Sequence, residues 1–128
     1  MTSLVLRVVI AVSLVVSGAS HAYLYAHGYG HIPVVGPGFL VQASVSFALA
    51  VLILIGGPEW LQWAAGALAL GALVAFALSR TVGIAGFVER GFEPAPHAAL
   101  DVVAELVTVA CVVAVALRAR RSPLPSRA

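Results

Sequence analysis

The sequence predicts an all-α fold, a four-helix transmembrane bundle running up-down-up-down with both termini cytoplasmic. Three observations predict it. Of the 128 residues, 62% are hydrophobic and only 9% charged, and the mean hydropathy is +1.07. A water-soluble domain of this size needs more polar surface than that. The apolar residues fall into four runs, each close to the roughly 20 residues that cross ~30 Å of hydrocarbon. Glycine, proline and charge gather between the runs, where chain turns belong. The spans use up most of the chain, so residues 1–128 form one integral membrane domain.

The first span covers about 4–25, with Arg7 near its start placed to snorkel to the headgroups. A segment from Gly28 to Gly38 follows, rich in glycine with Pro33 and Pro37, and reads as an interfacial loop. The second span covers 39–55 and is ended by Gly56-Gly57-Pro58. So short a turn makes spans two and three antiparallel neighbours. The third span covers 60–79. The most polar loop, 80–96, carries Arg80, Glu89, Arg90 and Glu93. The fourth span covers 97–117, and a basic tail, 118–128, ends the chain. Residues 1–22 also resemble a signal peptide, with Ser20-His21-Ala22 in the small-x-small pattern of a cleavage site. Cleavage there leaves three spans.

Arginine fixes the expected orientation. Arg7, Arg118, Arg120, Arg121 and Arg127 lie on one side and only Arg80 and Arg90 on the other. The positive-inside rule assigns the first side to the cytoplasm, and the protein to the cell membrane as a multi-pass protein. Trp60 and Trp63 then mark the inner interface, and Tyr23, Tyr25 and Tyr29 the outer one. The basic tail accounts for the pI of 9.2 as a topology or anionic-lipid signal, so no nucleic-acid partner is expected.

Polar residues inside the spans converge on the outer half. Ser13, Ser17, His21 and Tyr25 recur every four residues on span one, a single helical stripe. Gln42 and Ser46 share a face of span two, Arg80 closes span three, and His97, Asp101 and Glu105 repeat at four-residue spacing on span four. Lipid cannot solvate such groups, so they face one another inside the bundle. The candidate site is therefore His21, Gln42, Arg80, Asp101 and Glu105. Glu105 lies about 12 Å down the helix from His97 at 1.5 Å per residue. It is either neutral or paired with a cation. Arg80 is the expected cation, turned down from the end of span three and shared with Asp101. Such a clasp is structural or part of a functional site, and the sequence leaves both open.

Other signals are weaker. His27 and His31 have the spacing of a helical metal pair, but Gly28, Gly30 and Pro33 remove the helix. His21 and His97, on different spans, raise a haem pair, yet no CxxCH is present and no cofactor is expected. Gly83-Ile84-Ala85-Gly86 lies in a loop, outside any nucleotide-binding context. Cys111 reads as a small apolar side chain packed within the last span. Ala67, Gly71, Ala75 and Ser79 form a small-residue stripe on span three, suited to contact with span two or four, or with a second copy in a homodimer.

The run His21-Ala22-Tyr23-Leu24-Tyr25, then Gly28-Tyr29, Ile32-Pro33, Gly36 and Phe39-Leu40, resembles an uncharacterised group of small four-span integral membrane proteins of high-GC actinobacteria. Ser79-Arg80-Thr81-Val82-Gly83, Gly86-Phe87 and Glu105 are similar to the same group. The resemblance implies the four-helix fold and singles out His21, Arg80 and Glu105; it implies no activity. A looser likeness to DoxX-like four-span proteins rests on size and span count.

The expected function is that of an accessory subunit or small-ligand-binding protein, more a non-enzyme than an enzyme, whose polar cluster receives a membrane partner or a polar molecule. The alternatives are a redox or proton-handling protein that binds quinone or haem, and a metal-ion permease.

Overall fold

The computed structural model describes residues 2–122. It contains four long helices: α1 (Thr2–Ala26), α2 (Val35–Leu54), α3 (Trp60–Ser79) and α4 (His97–Arg121). All four are long and apolar enough to cross a membrane. They form a ring in which α1 packs on α2 and α4, and α3 on α4; α2 and α3 touch least among neighbours, and α2 does not meet α4. Successive helices alternate in direction. Residues from the end of α1, the start of α2, the end of α3 and the start of α4 gather around one cavity. At the opposite end Arg7, Glu59, Gln62 and Arg118 gather around a second hollow. The outward faces are apolar: Leu4, Val41, Val74, Val103 and Leu106 are all exposed. Water would not tolerate so continuous an apolar surface, and acyl chains match it.

The helix bounds differ from the hydropathy reading at two places. The second helix begins at Val35, not 39, and so absorbs Gly36-Pro37-Gly38. Proline is tolerated in a first turn because its missing N–H has no partner there anyway. Gly36 is required at this point, since a Cβ would lie 2.5 Å from the Gly30 carbonyl oxygen. A 3-10 turn, Tyr29–His31, makes the approach. The fourth helix continues past 117 to Arg121, where arginines complement the negative end of the helix dipole. Arg127 and the rest of the basic tail beyond 122 lie outside the described residues.

The α2–α3 turn shows why so few residues suffice. The Gly57 amide donates to the Leu52 carbonyl (2.9 Å) and the Gly56 amide to that of Ile53 (3.2 Å), with Gly56 at φ +88°. This paired arrangement satisfies the last carbonyls of α2 through a left-handed glycine.

The two halves of the bundle are packed differently. Toward the termini, Ile10, Ala11 and Leu14 of α1, Leu49, Ala50 and Ile53 of α2, Leu61 and Ala65 of α3 and Val112 of α4 form a closed core. Cys111 packs partly buried against it with a free thiol. Two glycines set the helix spacing. A Cβ on Gly18 would meet Ser46 Cβ at 3.2 Å and Phe47 Cζ at 3.3 Å; one on Gly66 would meet Val112 Cγ1 at 3.0 Å. In lipid, where the hydrophobic drive between helices is absent, such close approach supplies the packing energy.

Gly18→Val therefore pushes α1 from α2 and lowers stability by about 1–3 kcal/mol, the usual cost of overpacking. Ser46 is fully buried beside it with an unpartnered hydroxyl, so Ser46→Ala leaves stability unchanged or raised. Thermal unfolding in detergent reads both; a stable Gly18→Val protein would contradict the close-packed α1–α2 seam.

Candidate functional site

Away from the termini the core opens into a cavity of about 470 Å³. Its walls are mostly apolar, with Leu24, Val35, Leu68, Ala72 and Ala98 among them. The 80–96 loop roofs it. Ile84 and Phe87 exchange backbone hydrogen bonds of 2.9 Å across Ala85 and Gly86, both at positive φ, which is the two-residue hairpin turn that places both side chains on the same side. The Glu89 amide donates to the Ser79 carbonyl (2.9 Å) and ties the loop to the end of α3. Tyr29 donates its hydroxyl to Glu89 Oε2 at 2.8 Å, joining the α1–α2 connection to the same roof. Burial, and then this hydrogen bond to a carboxylate, push the Tyr29 phenol from 10.0 up to about 12.

His21, Gln42, Arg80, Asp101 and Glu105 all line this cavity. The structure groups them differently from the sequence expectation. His21, Asp101 and Glu105 converge: all three are buried, with potential ligand atoms within 4.8 Å of one another. His21 Nδ1 lies 2.9 Å from the Ser17 carbonyl oxygen and 3.4 Å from Asp101 Oδ1. The shorter contact assigns the ring hydrogen to Ser17. The approach to Asp101 is then electrostatic, and Asp101 Oδ1 is left without a hydrogen-bond donor. Ser17 Oγ donates to Glu105 Oε1 at 3.4 Å. Ser20 Oγ donates to Asp101 Oδ2 at 3.1 Å and stands 3.1 Å from His97 Nδ1. Each acid thus has one oxygen held by a serine of α1.

Arg80 does not form the expected clasp. Its guanidinium turns to the roof, donating from Nε to the Gly91 carbonyl (2.8 Å), from Nη1 to Ser79 Oγ (2.6 Å) and from Nη2 to the Glu93 carbonyl. It also lies 4.2 Å from the Phe76 ring centre. The reason is competition: the returning loop presents bare carbonyls at the mouth of α3, and a planar fork fits them without burying its charge. His21–Asp101 is the one acid–base contact within 4.0 Å among the described residues. Gln42 is half-buried on the wall, whereas Ser46 sits behind it in the α1–α2 seam.

The small-residue stripe is also corrected. Ala67, Gly71 and Ala75 are exposed rather than pressed on α2 or α4, and a Cβ on Gly71 would meet nothing within 4 Å. They line the cavity with Ser79, because α3 closes on α4 lower down, at Gly66 and Val112. His97 is held outside the cavity lining by stacking on Tyr23 (4.5 Å), which stacks in turn on His27 (3.9 Å). Among the described residues His21 is the one imidazole of the cavity lining, so His21 and His97 do not face each other across it. Sequence reading missed Ser20 as a site residue; its position three residues after Ser17 is the signal that places both on one face of α1.

Arg80→Gln and Glu105→Gln share no partner, so their stability effects add within about 0.5 kcal/mol, while Asp101→Asn and His21→Ala couple by more than that. Double-mutant cycles on detergent unfolding test this; coupling of Arg80 to Glu105 would restore the clasp. Tyr29 makes a pH prediction. Its phenol is raised in the folded state, so the stability it confers is held below pH 10.0 and lost as pH rises toward about 12. Ultraviolet titration should show a late phenolate component that disappears in Tyr29→Phe and moves lower in Glu89→Gln; its absence from the parent protein refutes the roof contact. Comparison with known protein families, curated proteins and solved structures finds no match to this chain.

Proposed function

We propose that the protein is a multi-pass protein of the cell membrane, both termini cytoplasmic, that binds a small and mainly apolar molecule within its own bundle. One observation carries this reading: the cavity of about 470 Å³, apolar along most of its wall and polar at His21, Asp101 and Glu105. Small-molecule sites commonly have volumes of about 300–1,000 Å³ with a few convergent polar groups on an apolar lining. The least-filled seam of the bundle, α2 against α3, borders it. The small residues of α3 support the same reading, since Gly71 faces open space. An accessory-subunit role has no comparable feature behind it. The resemblance to small four-span proteins supports the architecture and adds no activity.

A proton-handling role is the second reading, favoured by a specific arrangement. Side chains run in short steps from His97 through Ser20, Asp101, His21 and Ser17 to Glu105. Such a chain links the partly exposed start of α4 to the buried carboxylate and would move charge compensation with a ligand.

The binding reading is tested with 2-naphthylmethanol in phosphatidylcholine nanodiscs, followed by naphthalene fluorescence. Wild-type protein should show saturable uptake above linear partitioning into lipid. Gly71→Leu, which fills the cavity and replaces glycine with a better helix former, should abolish saturation while leaving the protein folded. Equal binding by both proteins would rule the cavity out. Weighing the same variant for oligomeric state separates this role from a homodimer through Ala67, Gly71, Ala75 and Ser79, and proton release on titration in weak buffer reads the second reading.

A further inference from the structure

We infer that the molecule this cavity takes is an organic cation, an ammonium head on an apolar body, with the head seated against Asp101 and Glu105. This rests on the binding reading above and adds the ligand's charge. Besides Tyr29, five ionisable groups line the cavity: His21, Arg80, Glu89, Asp101 and Glu105. Two of them are already engaged at the roof. Arg80 gives its donors to Ser79 Oγ and to the Gly91 and Glu93 carbonyls, and Glu89 accepts from Tyr29. Two buried acids are left to one imidazole, whose Nδ1 hydrogen is directed at the Ser17 carbonyl.

Buried carboxylates are costly unless a cation and hydrogen-bond donors offset their lost hydration. The serines satisfy one oxygen of each acid, Oδ2 of Asp101 and Oε1 of Glu105. Asp101 Oδ1 is buried and without a donor, on a residue only 7% exposed. The deficit is therefore specific: positive charge and N–H donors, at a known atom, on the wall of an apolar cavity. An ammonium group carries both, with three donors that diverge from one nitrogen. The rest of the cavity suits the body of such a molecule. Tyr29, Phe39, Phe76 and Phe87 contribute aromatic rings to its lining, and ring faces attract cations and disfavour anions. A bare divalent ion would use the three buried side chains and leave the apolar volume without a purpose.

The test compares three probes with one naphthalene body in phosphatidylcholine nanodiscs: 2-naphthylmethylamine, 2-naphthylmethanol and 2-naphthoate. The amine should bind at least about tenfold more tightly than the alcohol, and the carboxylate should show no saturable binding. Asp101→Asn and Glu105→Gln should each lower the ratio of amine to alcohol affinity by most of that tenfold. Alcohol binding as tight as amine binding overturns the charge assignment and leaves the cavity reading standing. Failure of all three to saturate removes the cavity reading itself. Saturable Zn²⁺ binding that the amine does not displace assigns the acids to a metal and also overturns the inference. If the acid variants fail to fold, the wild-type comparison of the three probes decides alone.

Discussion

Polar side chains within an apolar span have nowhere to go but toward each other, and in this protein that constraint is met between α1 and α4. Ser17, Ser20 and His21 on one helix meet Asp101 and Glu105 on the other. The alternative, carboxylates facing acyl chains, costs several kcal/mol per group. The α1–α4 pair is thereby fixed in rotation and in height, with α2 packed on α1 and α3 on α4. Ser17, Ser20 and His21 stand three or four residues apart on α1, the spacings that keep one helix face turned to the same neighbour.

A second division, between a closed half and an open half, follows from residue size. Near the termini, glycine and alanine let backbones approach while Ile10, Leu14 and Ile53 fill what remains. Near the other end the small residues of α3 have no large partner opposite them, so the same side-chain type that closes one half leaves the other hollow. Small residues in membrane helices permit close contact without compelling it. What decides is whether the facing helix arrives, and α2 touches α3 less than any other neighbouring pair of helices.

The 80–96 loop gives the open half its roof. A hairpin turn at Ala85-Gly86, the Tyr29–Glu89 hydrogen bond and the Arg80 fork hold it over the cavity. Arg80 belongs to this roof, not to the acids beneath it. That leaves His21, Asp101 and Glu105 to one another beneath the roof, and the charge inferred for the ligand follows from that arrangement.

Span number, the antiparallel order and the meeting of polar faces were legible in the chain, because hydropathy and four-residue spacing act locally and the bilayer enforces both. The bounds of α3 followed directly from Trp60 and Ser79. The start of α2 did not, because its first turn depends on Gly36 lying against Gly30, a contact between segments. The same applies to Arg80: spacing placed it near the acids, but a long side chain chooses among partners by geometry that only the folded loop supplies. Ser20 was hidden because it stands off the four-residue stripe, and its role shows only when Asp101 stands 3.1 Å away. Sequence thus placed His21, Asp101 and Glu105 inside the bundle. Tertiary structure settled which of them pair, and that a cavity lies beside them, because pairing and empty space are properties of helices already packed.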